Sequence, residues 1–171
     1  GHEPPAVVPC PACTMRAEEA DVDGQGPVGT VSTAGRGSDD AAVSQIVSWY
    51  RLHARDLPWR RPGTSPWAIL VSEVMSQQTP VARVIPAWED WQCRWPGPAD
   101  LAAAPTADVL RAWGRLGYPR RALRLKECAA VVVAEHDGVL PAEREPLLAL
   151  PGVGEYTAGA VLAFAHGRRA L

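Results

Sequence analysis

Glu73 is the carboxylate whose surroundings are hardest to explain by packing alone. It lies in Ser72–Pro80, SEVMSQQTP, where Trp67, Leu70, Val71, Val74 and Met75 recur at the spacing of one helix face. At about 100° per residue, Glu73 falls about 60° from Leu70, at the flank of that apolar stripe. A carboxyl so placed is partly desolvated, which raises its pKa and lets it donate a proton near neutral pH. Position alone favours a plain helix-surface glutamate. The residues that follow point the other way. Gln77, Gln78 and Thr79 precede Pro80, and a helix end needs only one or two polar caps.

A second chemical signal is LPGVGEYTAGA, Leu150 to Ala160. Gly152 and Gly154 flank Val153 in a tight turn, and a helix is expected immediately after. Glycine permits positive φ and the close approach of another chain, and successive backbone N–H groups converge there. With the helix N-terminus, Gly152, Val153 and Gly154 form an anion site suited to a phosphate, of the kind that grips a DNA backbone without reading sequence. An ordinary interhelical turn is the competing reading. The basic run RAWGRLGYPRRALRLK carries Arg111, Arg115, Arg120, Arg121, Arg124 and Lys126, and a solvated helix face explains much of it. Tyr118, between Gly117 and Pro119, sits on a turn from which its ring can stack on a base. In LPWRRP, Trp59 is expected in the core, while Arg60 and Arg61 are surface charges or line a polar cleft. Cys10 and Cys13, in CPAC, have half the spacing of a zinc site, and no second C-x-x-C follows.

These groups need elements to hold them, and the spacing is helical throughout. Val43, Ile46, Val47 and Tyr50 mark one helix, with Ser38 as N-cap and Asp39 and Asp40 in its first turn. Ser65 and Pro66 open the Glu73 helix. Val81, Val84, Ile85 and Trp88 mark a third, entered through Pro80. Val109, Leu110 and Trp113 mark a fourth capped by Thr106, and Leu125, Cys128, Ala129 and Val132 a fifth. Tyr156 to Ala165, rich in alanine, is a sixth. RWPGPAD and DGVLPAE read as short connections, and no stretch alternates with period two. The expected body is all-α.

Seven of the chain's acidic residues and only Arg16 and Arg36 among its basic ones fall in residues 1–40. From residue 41 onward fifteen basic side chains face twelve acidic ones, and all seven tryptophans lie between Trp49 and Trp113. Residues 1–38 therefore read as a disordered acidic tail, too polar to offset its ordering entropy, and residues 39–171 as one compact domain. No apolar run is long enough to span a bilayer and no secretory signal is visible. Four cysteines in 171 residues then fit a reducing compartment better than a disulfide scaffold. The first residue is Gly, which is compatible with a processed or partial product.

Taken together, SEVMSQQTPVARVIPAWEDW, LPWR, LGYPRRALRL and LPGVGEYTAGAVL resemble, in order and spacing, adenine DNA glycosylases of the MutY type. These belong to the helix-hairpin-helix base-excision superfamily that also contains endonuclease III. The resemblance covers about residues 41–171. It implies an all-α helix-hairpin-helix glycosylase fold, with the six-helix barrel module largely present and the iron–sulfur domain cut short. The implied activity is removal of adenine mispaired with 8-oxoguanine or guanine in double-stranded DNA, with the adenine flipped out of the duplex. Glu73 matches the catalytic acid, which leaves an oxocarbenium-like sugar as the base departs. Gln78 matches the residue that wedges into the stack, with Gln77 and Thr79 at the lesion-facing helix end. Tyr118 matches a tyrosine that intercalates beside 8-oxoguanine, and Arg60 an arginine near the adenine pocket.

The resemblance also has departures. Tyr118-Pro119 stands where two tyrosines are common. Tyr156 occupies the position of the Schiff-base lysine of bifunctional relatives, so a monofunctional enzyme is expected. The second carboxylate, an aspartate, and the four cysteines that ligate a [4Fe–4S] cluster are expected beyond Leu171, with no metal ligands in residues 1–171. This segment alone is therefore expected to be inactive. A monomer that is cytoplasmic and associated with a bacterial nucleoid is implied. Two other readings remain open: a non-catalytic helix-hairpin-helix DNA-binding module, which has no need of Glu73 or QQT, and an endonuclease III-like pyrimidine-lesion enzyme.

Overall fold

The computed structural model describes residues 39–168, and the tail expectations for residues 1–38, CPAC and Ser38 included, lie outside them. Every regular element among the described residues is helical. The chain divides into two units, and the described part of one of them is dominated by helix α1, Asp39–His53. Its expected apolar face, Val43, Ile46, Val47 and Tyr50, is exposed. On the same helix the Trp49 and His53 rings stack on each other, with centroids 4.8 Å apart. The other unit, Leu57 onward, holds every remaining element and is the body described below.

The body is built around α2, Pro66–Ser76. Ser65 caps it as expected, its Oγ accepting from the Ala68 N–H at 3.1 Å, with Pro66 at the first helical position. The stripe is wider than its spacing implied. Trp67 through Ser72, Val74 and Met75 are all buried, which leaves Pro66 at the start and Glu73 and Ser76 near the end part-exposed. A helix apolar nearly all round is a central helix. It packs against α3 (Val81–Arg94), α6 (Arg120–Glu135), α8 (Glu155–His166) and the single turn Pro58–Arg60. Close approach of α8 follows from Ala158, Gly159 and Ala160, small residues that are all buried.

Tryptophans fill the space between α2, α3 and α5 (Thr106–Trp113). Trp59 is in the core as expected, edge-on to Trp88 at 5.7 Å. The Trp88 Nε1–H donates to Ala68 O at 2.9 Å, so burying that indole leaves no orphaned donor. Trp91 meets Trp113 edge-on at 5.6 Å, joining α3 to α5.

Two local expectations need correction, and one helix had no expectation. Thr106 is the first residue of α5, and Pro105 holds the N-cap position. RWPGPAD is not only a connection, because Pro98 opens helix α4, Pro98–Ala103. A further short helix, α7, covers Arg144–Ala149. Both are six residues long, too short to show a helical period. The α4 helix is held against α6 by Lys126, whose Nζ donates to the Leu101 and Ala102 carbonyls at 3.3 and 2.5 Å.

Candidate active site

Glu73 sits one turn before the C-terminal end of α2 and is half-buried. Burial raises its pKa above the ordinary carboxylate value, and the Arg60 guanidinium pulls it part of the way back. Desolvation wins, so the group holds its proton to a higher pH than a surface glutamate does. Arg60 leaves the Pro58 turn and lies over the Phe164 ring of α8, its Cζ 5.1 Å from the centroid. Tyr156, one residue into α8, is exposed.

Beyond Ser76 the chain turns sharply. Gln77 closes the helix with φ −59° and ψ 114°, and Gln78 adopts a left-handed φ of 55°. Tyr118 does the same at φ 48°, after Gly117 at φ 78°. For residues other than glycine this conformation costs roughly 1–2 kcal/mol each. The Tyr118 side chain is exposed, as is that of Gln78. Gln77, Gln78, Tyr118 and Arg121 line an open hollow of about 520 Å³. Thr79, expected at the lesion-facing end, is instead buried. Its Oγ1 donates toward Leu116 O at 3.0 Å and so ties the two turns together.

Arg121 lies at the centre of that tie, a role its place in a run of basic residues did not reveal. Its Nη1 donates to Val74 O, Met75 O and Gln77 O at 2.8, 3.3 and 2.6 Å. Its Nη2 donates to Leu116 O, Gly117 O and Thr79 Oγ1 at 2.9, 3.1 and 3.2 Å. Three of those carbonyls belong to the end of α2, where helix geometry leaves acceptors without partners and favours a cation. The guanidinium also lies 5.3 Å from the Trp113 ring and 5.7 Å from the Tyr118 ring.

The hairpin joins α7 to α8. Gly152 has φ 78°, a conformation that favours glycine, and a Cβ there would lie 3.1 Å from the Arg124 Cβ, tighter than an ordinary contact. Gly154 differs from expectation. Its φ of −100° suits any residue, and a Cβ would meet nothing within 4 Å. Val153 is buried and anchors the turn, while its N–H donates to Leu150 O at 3.2 Å. The Glu155 carboxylate, which would oppose an anion at this helix start, pairs with Arg144.

Among the described residues no group of three or more His, Cys, Asp or Glu could hold a metal ion. Cys128 is free and buried, with its thiol pushed up to about 12, and is unreactive. The described residues do not fit a [4Fe–4S] cluster. No helix among them is long and apolar enough to cross a membrane.

The chain is similar to known DNA repair proteins. The family described as HhH-GPD superfamily base excision DNA repair protein matches residues 71–168. A Mycobacterium tuberculosis protein named adenine DNA glycosylase is 60% identical over 126 residues, covering 74% of this chain and 41% of its own length. The Homo sapiens protein of that name is 44% identical over 144 residues, covering 80% of this chain and 25% of its own. The chain thus spans less than half the length of either relative. A solved thermostable thymine-DNA glycosylase superposes with a TM-score of 0.69 at 31% identity, over 75% of this chain and 59% of that one. The similarity to adenine DNA glycosylases expected from the motifs is borne out.

Proposed function

The chain belongs to the HhH-GPD superfamily of base excision DNA repair proteins, and we propose that it forms the base-flipping part of a monofunctional DNA glycosylase. The proposed substrate is adenine opposite 8-oxoguanine or guanine in duplex DNA. The observation that carries this reading is the Glu73 carboxyl, whose pKa burial raises against the opposing pull of Arg60. Such a group holds its proton to a higher pH than an exposed glutamate does and can transfer it to the departing base. The glycosidic electron pair then leaves with the adenine, and a cationic sugar remains for water to attack. Gln78 and Tyr118, exposed on adjoining turns, are suited to enter the stack the base vacates. The Gly152–Gly154 turn is suited to hold a phosphate beside them. Tyr156 offers no amine, so no imine forms and the abasic strand stays intact.

The test is single-turnover release of adenine from an adenine:8-oxoguanine duplex by the full-length protein. Glu73→Gln keeps the shape and removes the proton, so release should fall by about 10³-fold with duplex affinity nearly unchanged. A variant within about tenfold of wild type would remove Glu73 from the acid role. Borohydride should trap no covalent adduct, and a thymine:guanine duplex should be a poor substrate. Preferential thymine release would move the reading to a pyrimidine-specific enzyme.

A further inference from the structure

We infer that Arg121 is the positioning residue that holds both stack-entering side chains, Gln78 and Tyr118, in their strained conformations. The inference rests on the base-flipping reading above and adds to it a residue that touches neither base nor sugar. Three of the described residues other than glycine have positive φ, and Gln78 and Tyr118 are two of them. Each directly follows a carbonyl that Arg121 binds, Gln77 O in one case and Gly117 O in the other. Strained conformations persist only where the surroundings over-determine them. Thr79 Oγ1 on Leu116 O and Trp113 Nε1–H on Gly117 O each hold one point of these turns. The group that grips both is one guanidinium, whose two terminal nitrogens divide between the end of α2 and the turn before Tyr118, with Thr79 Oγ1 between them. Six acceptors share four N–H protons, and the remaining donor, Nε–H, is buried without an acceptor. The fork therefore has no terminal donor left over for a phosphate. A lysine ammonium is a point charge and cannot span the two groups of carbonyls at once. Arg121 thus fixes the separation between the Gln78 turn and the Tyr118 turn, although those residues lie forty positions apart.

The test compares wild type, Arg121→Met and Arg121→Lys in the full-length protein. Arg121→Met keeps an apolar stem between the Trp113 and Tyr118 rings and removes every donor. Adenine release should fall by about 10²-fold, the usual consequence of a misplacement of about 1 Å. Affinity for matched duplex should stay within about threefold of wild type, because backbone grip lies elsewhere. The preference for lesion over matched duplex should collapse, which general destabilisation measured well below Tm does not produce. Arg121→Lys should recover no more than about a tenth of the wild-type rate. A second readout needs no substrate. The Thr79 N–H donates to Ser76 O across the Gln78 turn, and its exchange with solvent should quicken by about tenfold or more in both variants. Wild-type release and preference in Arg121→Met would overturn the inference, as would equal loss of matched and lesion binding. If Arg121→Met does not fold, an Arg121→Lys protein with wild-type release and Thr79 protection overturns it. A wild type that releases no adenine counts against the base-excision reading, while unchanged Thr79 exchange in the variants counts against the positioning role itself.

Discussion

Two opposed influences set the proton affinity of Glu73, and one of them can be removed by itself. Burial raises the pKa and Arg60 lowers it. A group that acts as a proton donor works while protonated, so release should decline as pH rises through the raised pKa. Arg60→Gln takes away the lowering influence, the pKa rises further, and the alkaline limb should move to higher pH. Single-turnover rates between about pH 5 and pH 9 would reveal it. A limb that stays in place or moves to lower pH contradicts this assignment of Arg60. The same variant loses the guanidinium over Phe164, so its maximal rate need not equal that of wild type.

At the scale of the element, the hairpin gives two glycines different jobs. Gly154→Asp meets no strain and no clash, so Tm should stay close to wild type. Affinity for matched and lesion duplexes should fall together by about tenfold or more, because a carboxylate then faces the phosphate. Gly152→Ala should instead cost roughly 1–2 kcal/mol of stability from its left-handed φ, before any effect on DNA. Thermal unfolding and duplex titration of both variants separate the two cases, and a loss confined to lesion DNA for Gly154→Asp would rule out a plain backbone clamp. Element by element, the sequence was readable where a period or a cap was long enough to register. Ser65-Pro66 with its apolar face announced α2, and Leu125, Cys128, Ala129 and Val132 announced α6. The α4 and α7 helices have fewer than two turns, and nothing in so short a run distinguishes helix from connection. Glu73, Gln78, Tyr118 and the hairpin were legible because their residue types are unusual for their positions. Arg121 and Thr79 were not. An arginine in a basic run looks solvated, and a threonine before proline looks like a cap, until the partner turn arrives from forty residues away.

Across the whole molecule, net charge says little about how the body meets DNA, because its cations are not equivalent. Arg115 and Arg120 are exposed, whereas Arg121 and Lys126 donate to backbone carbonyls. Replacing Arg115 or Arg120 by alanine should lower the log–log salt slope of matched-duplex binding by about 0.9 each. Lys126→Gln should leave that slope unchanged. Titrations between about 50 and 200 mM salt decide it, and a Lys126 effect equal to that of Arg120 would show the sorting to be wrong. One consequence of the α6 geometry remains. Arg121 and Arg124 stand one turn apart on that helix, the first bonded to both strained turns, the second pressed against Gly152. The part of the body that would follow the sugar–phosphate rail and the part that would probe between bases are therefore geared to one rod. On the proposed base-flipping reading, travel along the rail would carry the probe at a set depth, and each base pair would be gauged against the same fixed ruler.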